Sequence, residues 1–292
     1  MQELLKKLRK YEMRMRKAIN WQMQGDFHAI FKGSGLEFDD VRAYQYGDDV
    51  RIIDWKVTAK GHGTYVKVFK EEREQQVYFL VDVSASQRLG NLVLKEQIAK
   101  EIAGVLSISA VKEASQVGLI AFSDQRELYI KPAKGIAHAY EIITQLFNLN
   151  PASVQTNLSA AFKYCLKLIR KKSMIVVLSD FIDNNWEHNF KALAQRHDVV
   201  VLHIGDKRER NIPKLGLIPL LDKESNQTLW INSTTGLFRK KVAKEYKENK
   251  EHLMSLCKKA NADYLYIDTA EDYIPQLISL FKQRNHRNKR AR

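Results

Sequence analysis

The sequence predicts an α/β fold: a doubly wound, mostly parallel sheet with helices packed on it. Short apolar runs rich in β-branched residues, typical of buried strands, alternate with longer segments whose apolar residues recur at helical spacing. The chain has 292 residues, of which 45% are hydrophobic, so it is long enough and apolar enough to bury the core of such a fold.

The elements are predicted in chain order from these runs. Val77–Val81 is the first strand of the sheet, and a helix near Leu92–Glu113 carries Ile98, Ile102 and Val105 on one face. The elements that follow are a hairpin of Val117–Phe122 and Glu127–Ile130, helices near Ile136–Leu146 and Asn157–Ile169, a strand at 174–178, a helix near Glu187–Arg196, a strand at Val199–Ile204, an inserted hairpin of Leu215–Leu221 and Thr228–Ile231 (about 213–232), a helix near Phe238–Lys259, a strand at Tyr264–Ile267 and a last helix that includes Ile274 and Phe281.

Polar oxygen-bearing side chains follow two of the predicted strands. Asp82, Ser84 and Ser86 come directly after Val77–Val81, and Asp180 follows the strand at 174–178. Thr156 lies at the start of a predicted helix. Each of these residues alone is commonly a turn or cap residue. Ligands of open α/β sheets bind at the carboxyl ends of the strands, and hard oxygen ligands suit Mg²⁺, so together they predict a site there.

This ordered set resembles the metal-ion-dependent adhesion site of von Willebrand factor A-like, Rossmann-type domains. The pattern is D-x-S-x-S, then a Thr, then an Asp, and Asp82, Ser84, Ser86, Thr156 and Asp180 match all five positions. The resemblance implies an Mg²⁺ or Mn²⁺ ion that receives an acidic side chain from a partner protein. The family usually has Met after the second Ser, where this chain has Gln87.

The segment before the first strand is similar to the bacterial domain-of-unknown-function family 58. Its motifs here are Gly33-Ser34-Gly35-Leu36-Glu37-Phe38, Arg42-Ala43-Tyr44, Gly47-Asp48-Asp49-Val50-Arg51, Ile53-Asp54-Trp55 and Val66-Lys67-Val68-Phe69-Lys70-Glu71-Glu72. The resemblance implies a MoxR-type AAA+ ATPase as partner and a role in the assembly or maturation of protein complexes. We expect Arg42 and Arg51 to pair with nearby carboxylates, and Tyr44 and Trp55 to anchor a core or a loop.

The net charge of +14 is concentrated at the two ends of the chain. Residues 1–20 contribute +5 and residues 282–292 contribute +6. We therefore expect three regions: 1–75 with a basic N-terminal helix and the charged family segment, 76–283 as the α/β domain, and 284–292 as a basic disordered tail whose deletion leaves the fold unchanged. The basic helix packs on the body in one interpretation and binds an acidic partner, RNA or anionic lipid in the other.

The sequence argues against several classes of protein. It has no apolar stretch of 18 residues and no apolar signal-peptide core, and its two cysteines lie on apolar helical faces, so we expect no membrane span and a cytoplasmic protein with reduced cysteines. It also lacks a P-loop, a zinc-binding histidine motif and a nucleophile elbow. The main hypothesis is thus a binding module and not an enzyme; the alternatives are an RNA-binding protein and a metal-dependent phosphoester hydrolase with Asp124 or Asp183 as base.

Overall fold

The computed structural model describes residues 35–61, 63–72, 75–88, 94–210, 216–221 and 228–290. It divides the chain into two compact units, 32–75 and a larger unit that contains 76–292. The predicted basic helix near the N-terminus and the residues Gly33 and Ser34 lie outside the described residues. Within the described part of the chain, no helix is long and apolar enough to cross a membrane.

The smaller unit is built on an antiparallel pair of strands, β1 (Gly35–Ala43) and β2 (Tyr65–Glu72). A short 3-10 helix at Val50–Ile52 and helix α1 (Trp55–Thr58) connect the two strands. Asp54 caps α1, because its carboxylate accepts hydrogen bonds from the backbone N–H groups of the second and third residues after it.

The paired charges of this unit behave as the sequence predicts. Both terminal nitrogens of the Arg42 guanidinium donate to the carboxylate of Asp48 at 2.7 Å, and Arg51 donates to Asp49. The prediction that Trp55 anchors a core or a loop is wrong, because its side chain is 68% exposed. Trp55 is the first residue of helix α1, directly after the Asp54 cap.

The larger unit is a six-stranded sheet in the order β10-β7-β6-β3-β4-β5. Its strands are β3 (Gln76–Asp82), β4 (Gln116–Phe122), β5 (Arg126–Ala133), β6 (Met174–Ser179), β7 (Asp198–Gly205) and β10 (Asp263–Asp268). All neighbouring strands are parallel except β5, which pairs antiparallel with β4 as the edge strand. The predicted mixed α/β fold with a mostly parallel sheet is confirmed.

Helices cover both faces of this sheet. They are α2 (Lys95–Lys112), α3 (Ile136–Asn148), α4 (Leu158–Leu168), α5 (Glu187–Arg196), α6 (Lys207–Arg210), α7 (Gly236–Lys259) and α8 (Tyr273–Arg290). Buried side chains from α2, α3 and α8 form a core on one face, and those from α4, α5 and α7 form a second core on the other. Because both faces are buried, the central strands are apolar throughout instead of alternating.

The insertion between β7 and α7 contains the predicted hairpin, here β8 (Leu217–Leu221) and β9 (Thr228–Asn232). Trp230 is 66% exposed on this hairpin.

Both Cys165 and Cys257 are buried and free, as predicted for small core residues. Burial raises the pKa of each thiol to about 12, so neither is a reactive thiolate near neutral pH.

The predicted disordered tail is wrong as far as Arg290, because helix α8 continues to that residue. Arg284 is buried and its guanidinium forms ion pairs with Asp198 and Asp263. Arg287, one turn further along, also pairs with Asp263. Two arginines of this basic segment are counter-ions for carboxylates at the starts of β7 and β10, and the composition of the segment does not indicate these contacts.

Candidate metal-binding site

The residues Asp82, Ser84, Ser86, Thr156 and Asp180, here called the Asp82 site, come from three segments at the carboxyl ends of the parallel strands. Asp82 is the last residue of β3, and Asp180 directly follows β6. Strands β3 and β6 are hydrogen-bonded neighbours, so their ends lie side by side. The segment that carries Thr156 reaches the first loop through a backbone hydrogen bond from Ala85 N to Val154 O of 2.9 Å.

Asp82 is the centre of a hydrogen-bond network. Its side chain is fully buried, and Oδ1 accepts hydrogen bonds from both the backbone N (3.0 Å) and the hydroxyl (2.7 Å) of Ser84. The hydroxyl of Ser179 donates to Oδ2 at 2.6 Å. Ser86 joins the network because its Oγ lies 3.1 Å from that of Ser84. The D-x-S-x-S loop is therefore held with its oxygen atoms converging.

Gln87, where the resembled family has Met, is fully buried beside Asp82. Its amide nitrogen lies 3.4 Å from Asp82 Oδ2, which makes a long hydrogen bond. Its amide oxygen is buried and has no hydrogen-bond partner among the residues that the structure describes. A buried polar atom of this kind normally has a partner, such as an ordered water molecule, so the region around Asp82 has capacity for one more donor.

Asp180 forms an ion pair with a lysine that could not be predicted from the sequence. Lys95 Nζ lies 2.6 Å from Asp180 Oδ2 and 2.5 Å from Glu209 Oε1, and the Lys95 and Asp180 side chains are each only 1% exposed. The three residues are 85 and 114 positions apart in the chain, so no local pattern could have paired them. A buried ammonium group thus contacts the Asp82 site, and the pattern of Asp, Ser and Thr residues that identified the site does not include it.

The carboxylates in and around the Asp82 site outnumber the positively charged groups beside them. Burial, together with the negative charge of Asp180, raises the pKa of Asp82 to about 7. Burial would lower the pKa of Lys95, but the attraction of Asp180 and Glu209 outweighs that effect and keeps it raised. His203 adds no charge, because burial lowers its pKa to about 4. Asp82, Asp180 and Glu209 are therefore three carboxylates beside one ammonium, and the net formal charge of these four groups is −2 when all are ionised.

This arrangement fits a divalent cation. A charge of +2 would neutralise the excess, and serine and threonine hydroxyls with carboxylates form an all-oxygen ligand set of the kind Mg²⁺ takes. The orphaned oxygen of Gln87 could accept a hydrogen bond from a water molecule in the ion's shell. Among the described residues there is no cluster of three or more His, Cys, Asp or Glu side chains arranged for a metal, so an ion here depends on the hydroxyls.

Asp183 and Asp124, the two candidate bases of the hydrolase alternative, have other roles in the structure. Asp183 Oδ2 accepts a hydrogen bond from the backbone N of Leu158 at 2.7 Å and so stabilises the start of helix α4. Asp124 accepts from the hydroxyl of Ser123 at 3.2 Å within its own loop. Each carboxylate thus has a structural partner, and neither contact gives the hydrolase alternative a base.

We expect metal binding to depend on pH through Asp82. Its pKa is higher in the folded chain, about 7, than the roughly 3.9 of an unfolded Asp, so the folded state binds more protons between these values. The metal-free protein should therefore lose stability as the pH rises from about 4 to about 7. Because the ion requires the carboxylate, its affinity should fall about tenfold for each pH unit below 7. Melting curves at pH 6 and pH 8 measure this; an equal Mg²⁺ response at both would contradict it.

Comparison with known proteins gives a family and a set of uncharacterised relatives. The family model described as "Protein of unknown function DUF58" matches residues 40–252. "Uncharacterized protein Rv1480" of Mycobacterium tuberculosis (strain ATCC 25618 / H37Rv) is 28% identical over 222 residues, which are 75% of this chain and 70% of that protein. "Uncharacterized protein MAV169" of Mycobacterium avium is 27% identical over 135 residues, which are 46% of this chain and 79% of that protein.

Solved structures are similar at low sequence identity. BatB from Bacteroides thetaiotaomicron, a conserved hypothetical protein, is 15% identical with a TM-score of 0.45, and the match covers 72% of this chain and 98% of that chain. The VWA domain of SpRpn10 is 12% identical with a TM-score of 0.41, and the match covers 70% of this chain and 93% of that chain.

Proposed function

We propose that this chain, which belongs to the family of proteins of unknown function called DUF58, is a protein-interaction module that works through the Asp82 site. The observation that carries the proposal is the convergence of Asp82, Ser84 and Ser86 at a strand end where buried carboxylates exceed buried cations. That excess favours a divalent cation, Mg²⁺ or Mn²⁺, as the missing charge.

In this proposal, Ser84, Ser86 and Thr156 offer hydroxyls to the ion, and Asp82 and Asp180 hold it directly or through water. The bound ion supplies an electrophilic point for a carboxylate of a partner protein. The protein's own residues orient the ligands: Ser179 and Gln87 hold Oδ2 of Asp82, and the backbone N of Ser84 holds Oδ1. Asp82 therefore keeps one orientation before any partner arrives.

The partner in this proposal is a MoxR-type AAA+ ATPase or another protein that offers an acidic side chain, in assembly or maturation of protein complexes. This part of the proposal rests on the resemblance of the family segment. The rim of the site suits a protein partner, because Ile182, two residues after Asp180, is an exposed apolar side chain at 55%, and Val154, two residues before Thr156, is exposed at 41%. Apolar side chains are enriched in the part of a protein interface that becomes fully buried.

Ser84→Ala tests the proposal without a change in formal charge. We expect a co-expressed MoxR-type ATPase to bind the wild type in Mg²⁺ and to bind about 10- to 150-fold more weakly after Ser84→Ala or after chelation by EDTA, because a charge-assisted contact is worth roughly 1.5–3 kcal/mol. Affinity is measured by calorimetry or biolayer interferometry with purified proteins.

Ser255→Ala is the matched control, because Ser255 is exposed on helix α7 and the same hydroxyl is lost away from the site. It should bind like the wild type. Equal affinity of the wild type with and without divalent metal would overturn the metal-dependent part of the proposal. The smaller unit, with its exposed Trp55 and Tyr46, would then be the next surface to test.

A further inference from the structure

We propose that Lys95 is the internal cation of the Asp82 site and competes with the divalent ion for Asp180. The inference rests on the proposed function in that it takes the Asp82 site as the place where the ion binds. It adds a residue that sets how tightly the ion binds and that replaces part of its charge when the ion is absent.

The contacts of Lys95 carry the first step. Its ammonium lies 2.6 Å from Oδ2 of Asp180, so one of the two oxygens that Asp180 could offer to an ion is already paired. The other oxygen, Oδ1, accepts a weak hydrogen bond of 3.3 Å from the backbone N of Ile182. Lys95 is almost completely buried, so no water layer screens its charge from a cation in the same site. The ammonium and the ion are therefore mutually unfavourable neighbours.

Glu209 gives Lys95 an alternative partner. Its Oε1 lies 2.5 Å from the Lys95 ammonium, and its Oε2 accepts a hydrogen bond from the backbone N of Asp206 at 3.0 Å. Glu209 is therefore held in place on the segment that follows strand β7, within ion-pair distance of Lys95. When an ion takes Asp180, Lys95 keeps one carboxylate and needs only to shift towards Glu209. Binding of the ion is then linked to helix α6, which carries Glu209.

The role of Lys95 also explains how the site is stable with no ion. Without the ammonium, Asp82, Asp180 and Glu209 would be three buried carboxylates with no positive charge among them, an arrangement that disfavours the folded state. With it, part of the repulsion is offset. Lys95 therefore lowers the affinity for the ion and at the same time lowers the dependence of folding on the ion.

Lys95→Met tests the proposal because methionine has a similar length and no charge. We expect the metal-free variant to melt at a temperature lower by roughly 5–10 °C. We also expect Mg²⁺ to raise its melting temperature more than that of the wild type, and its dissociation constant for Mg²⁺, from calorimetry, to be at least about tenfold lower. Destabilisation without metal combined with a stronger response to metal is a result that loss of packing alone does not produce.

Lys100→Met is the matched control. Lys100 lies on the same helix, its side chain is 7% exposed, and its ion pair is with Glu96 of that helix and not with the Asp82 site. This variant loses the same charge and should respond to Mg²⁺ like the wild type. If Lys95→Met fails to fold at any metal concentration, Glu209→Gln replaces it, because the amide keeps the size of the carboxylate and one acceptor oxygen and removes the alternative counter-charge. Its affinity for Mg²⁺ should then be at least about threefold weaker, and an unchanged affinity would contradict the proposal.

The outcomes separate this inference from the proposed function. A Mg²⁺ response in Lys95→Met but none in the wild type would support Lys95 as the resident cation and would overturn metal dependence in the native protein. A response in the wild type that is equal or smaller in Lys95→Met would overturn the competition and leave the proposed function standing. No response in either protein would overturn both.

Discussion

Asp82→Asn is expected to remove the stabilisation that Mg²⁺ gives this protein. At free metal of about 1,000 times the dissociation constant, binding to the folded state alone adds about 4.1 kcal/mol to the free energy of unfolding, which is on the order of 10 °C in melting temperature. Asparagine has the volume of aspartate and can still accept the hydrogen bonds of Ser84 at one oxygen, so the loop should keep its shape. It removes the charge on which the ion depends.

Thermal melts of the wild type and Asp82→Asn with Mg²⁺ and with EDTA measure this effect. The metal-free variant should melt at or above the temperature of the metal-free wild type near pH 8, because it relieves the buried charge whose cost raises the pKa of Asp82 to about 7. Asp272→Asn is the control, since Asp272 is exposed before helix α8 and asparagine can keep its hydrogen bond to Ile274 N. A full Mg²⁺ response in Asp82→Asn would remove Asp82 from the site.

Arg284→Met should lower the free energy of unfolding by about 3 kcal/mol, because it removes the buried counter-ion of Asp263 and leaves that carboxylate only the exposed Arg287. Arg284 is 4% exposed and pairs with both Asp198 and Asp263, and Asp263 is itself buried. Deletion of 284–292 should be at least as destabilising. This replaces the expectation from sequence, where the polar and basic tail predicts no effect.

Urea unfolding of Arg284→Met and Arg287→Met makes the comparison at equal charge. The Arg287 side chain is 57% exposed and donates to Oδ1 of Asp263, so its loss should cost no more than about 1 kcal/mol. Equal stabilities of the two variants would show that the burial of Arg284 does not decide its contribution.

The fold could be predicted from the sequence because its signals are local. Runs such as Val77–Val81 are continuously apolar, as buried parallel strands require, and Leu158–Leu168 repeats its apolar residues at helical spacing. Trp55 and Arg284 were predicted wrongly for the opposite reason. The exposure of an aromatic ring and the burial of an arginine depend on partners far away in the chain, and composition carries no information about them.

The same contrast between local signals and contacts with distant residues applies to the candidate site. Asp82, Ser84 and Ser86 are recognisable because they lie within five residues at a strand end, and the structure places them in one hydrogen-bond network. Lys95 and Glu209 were missed, since a lysine at the start of a helix and a glutamate in a short charged helix are ordinary surface residues in a sequence. Only the sheet topology brings them to Asp180.

The long separation within the Lys95 ion pairs has a consequence for synthesis of the chain. Glu209 is made 114 residues after Lys95, which at ordinary translation speed is roughly 6–23 s later. Strand β6 and Asp180 emerge in the same interval, so until then β3 lacks one of its two neighbours. A chain that is still being synthesised, or that ends early, therefore exposes an unpaired edge of β3 and a lysine without a counter-charge. The Lys95 ion pairs can form only after strands β6 and β7 have been synthesised, so their formation coincides with completion of the central part of the sheet.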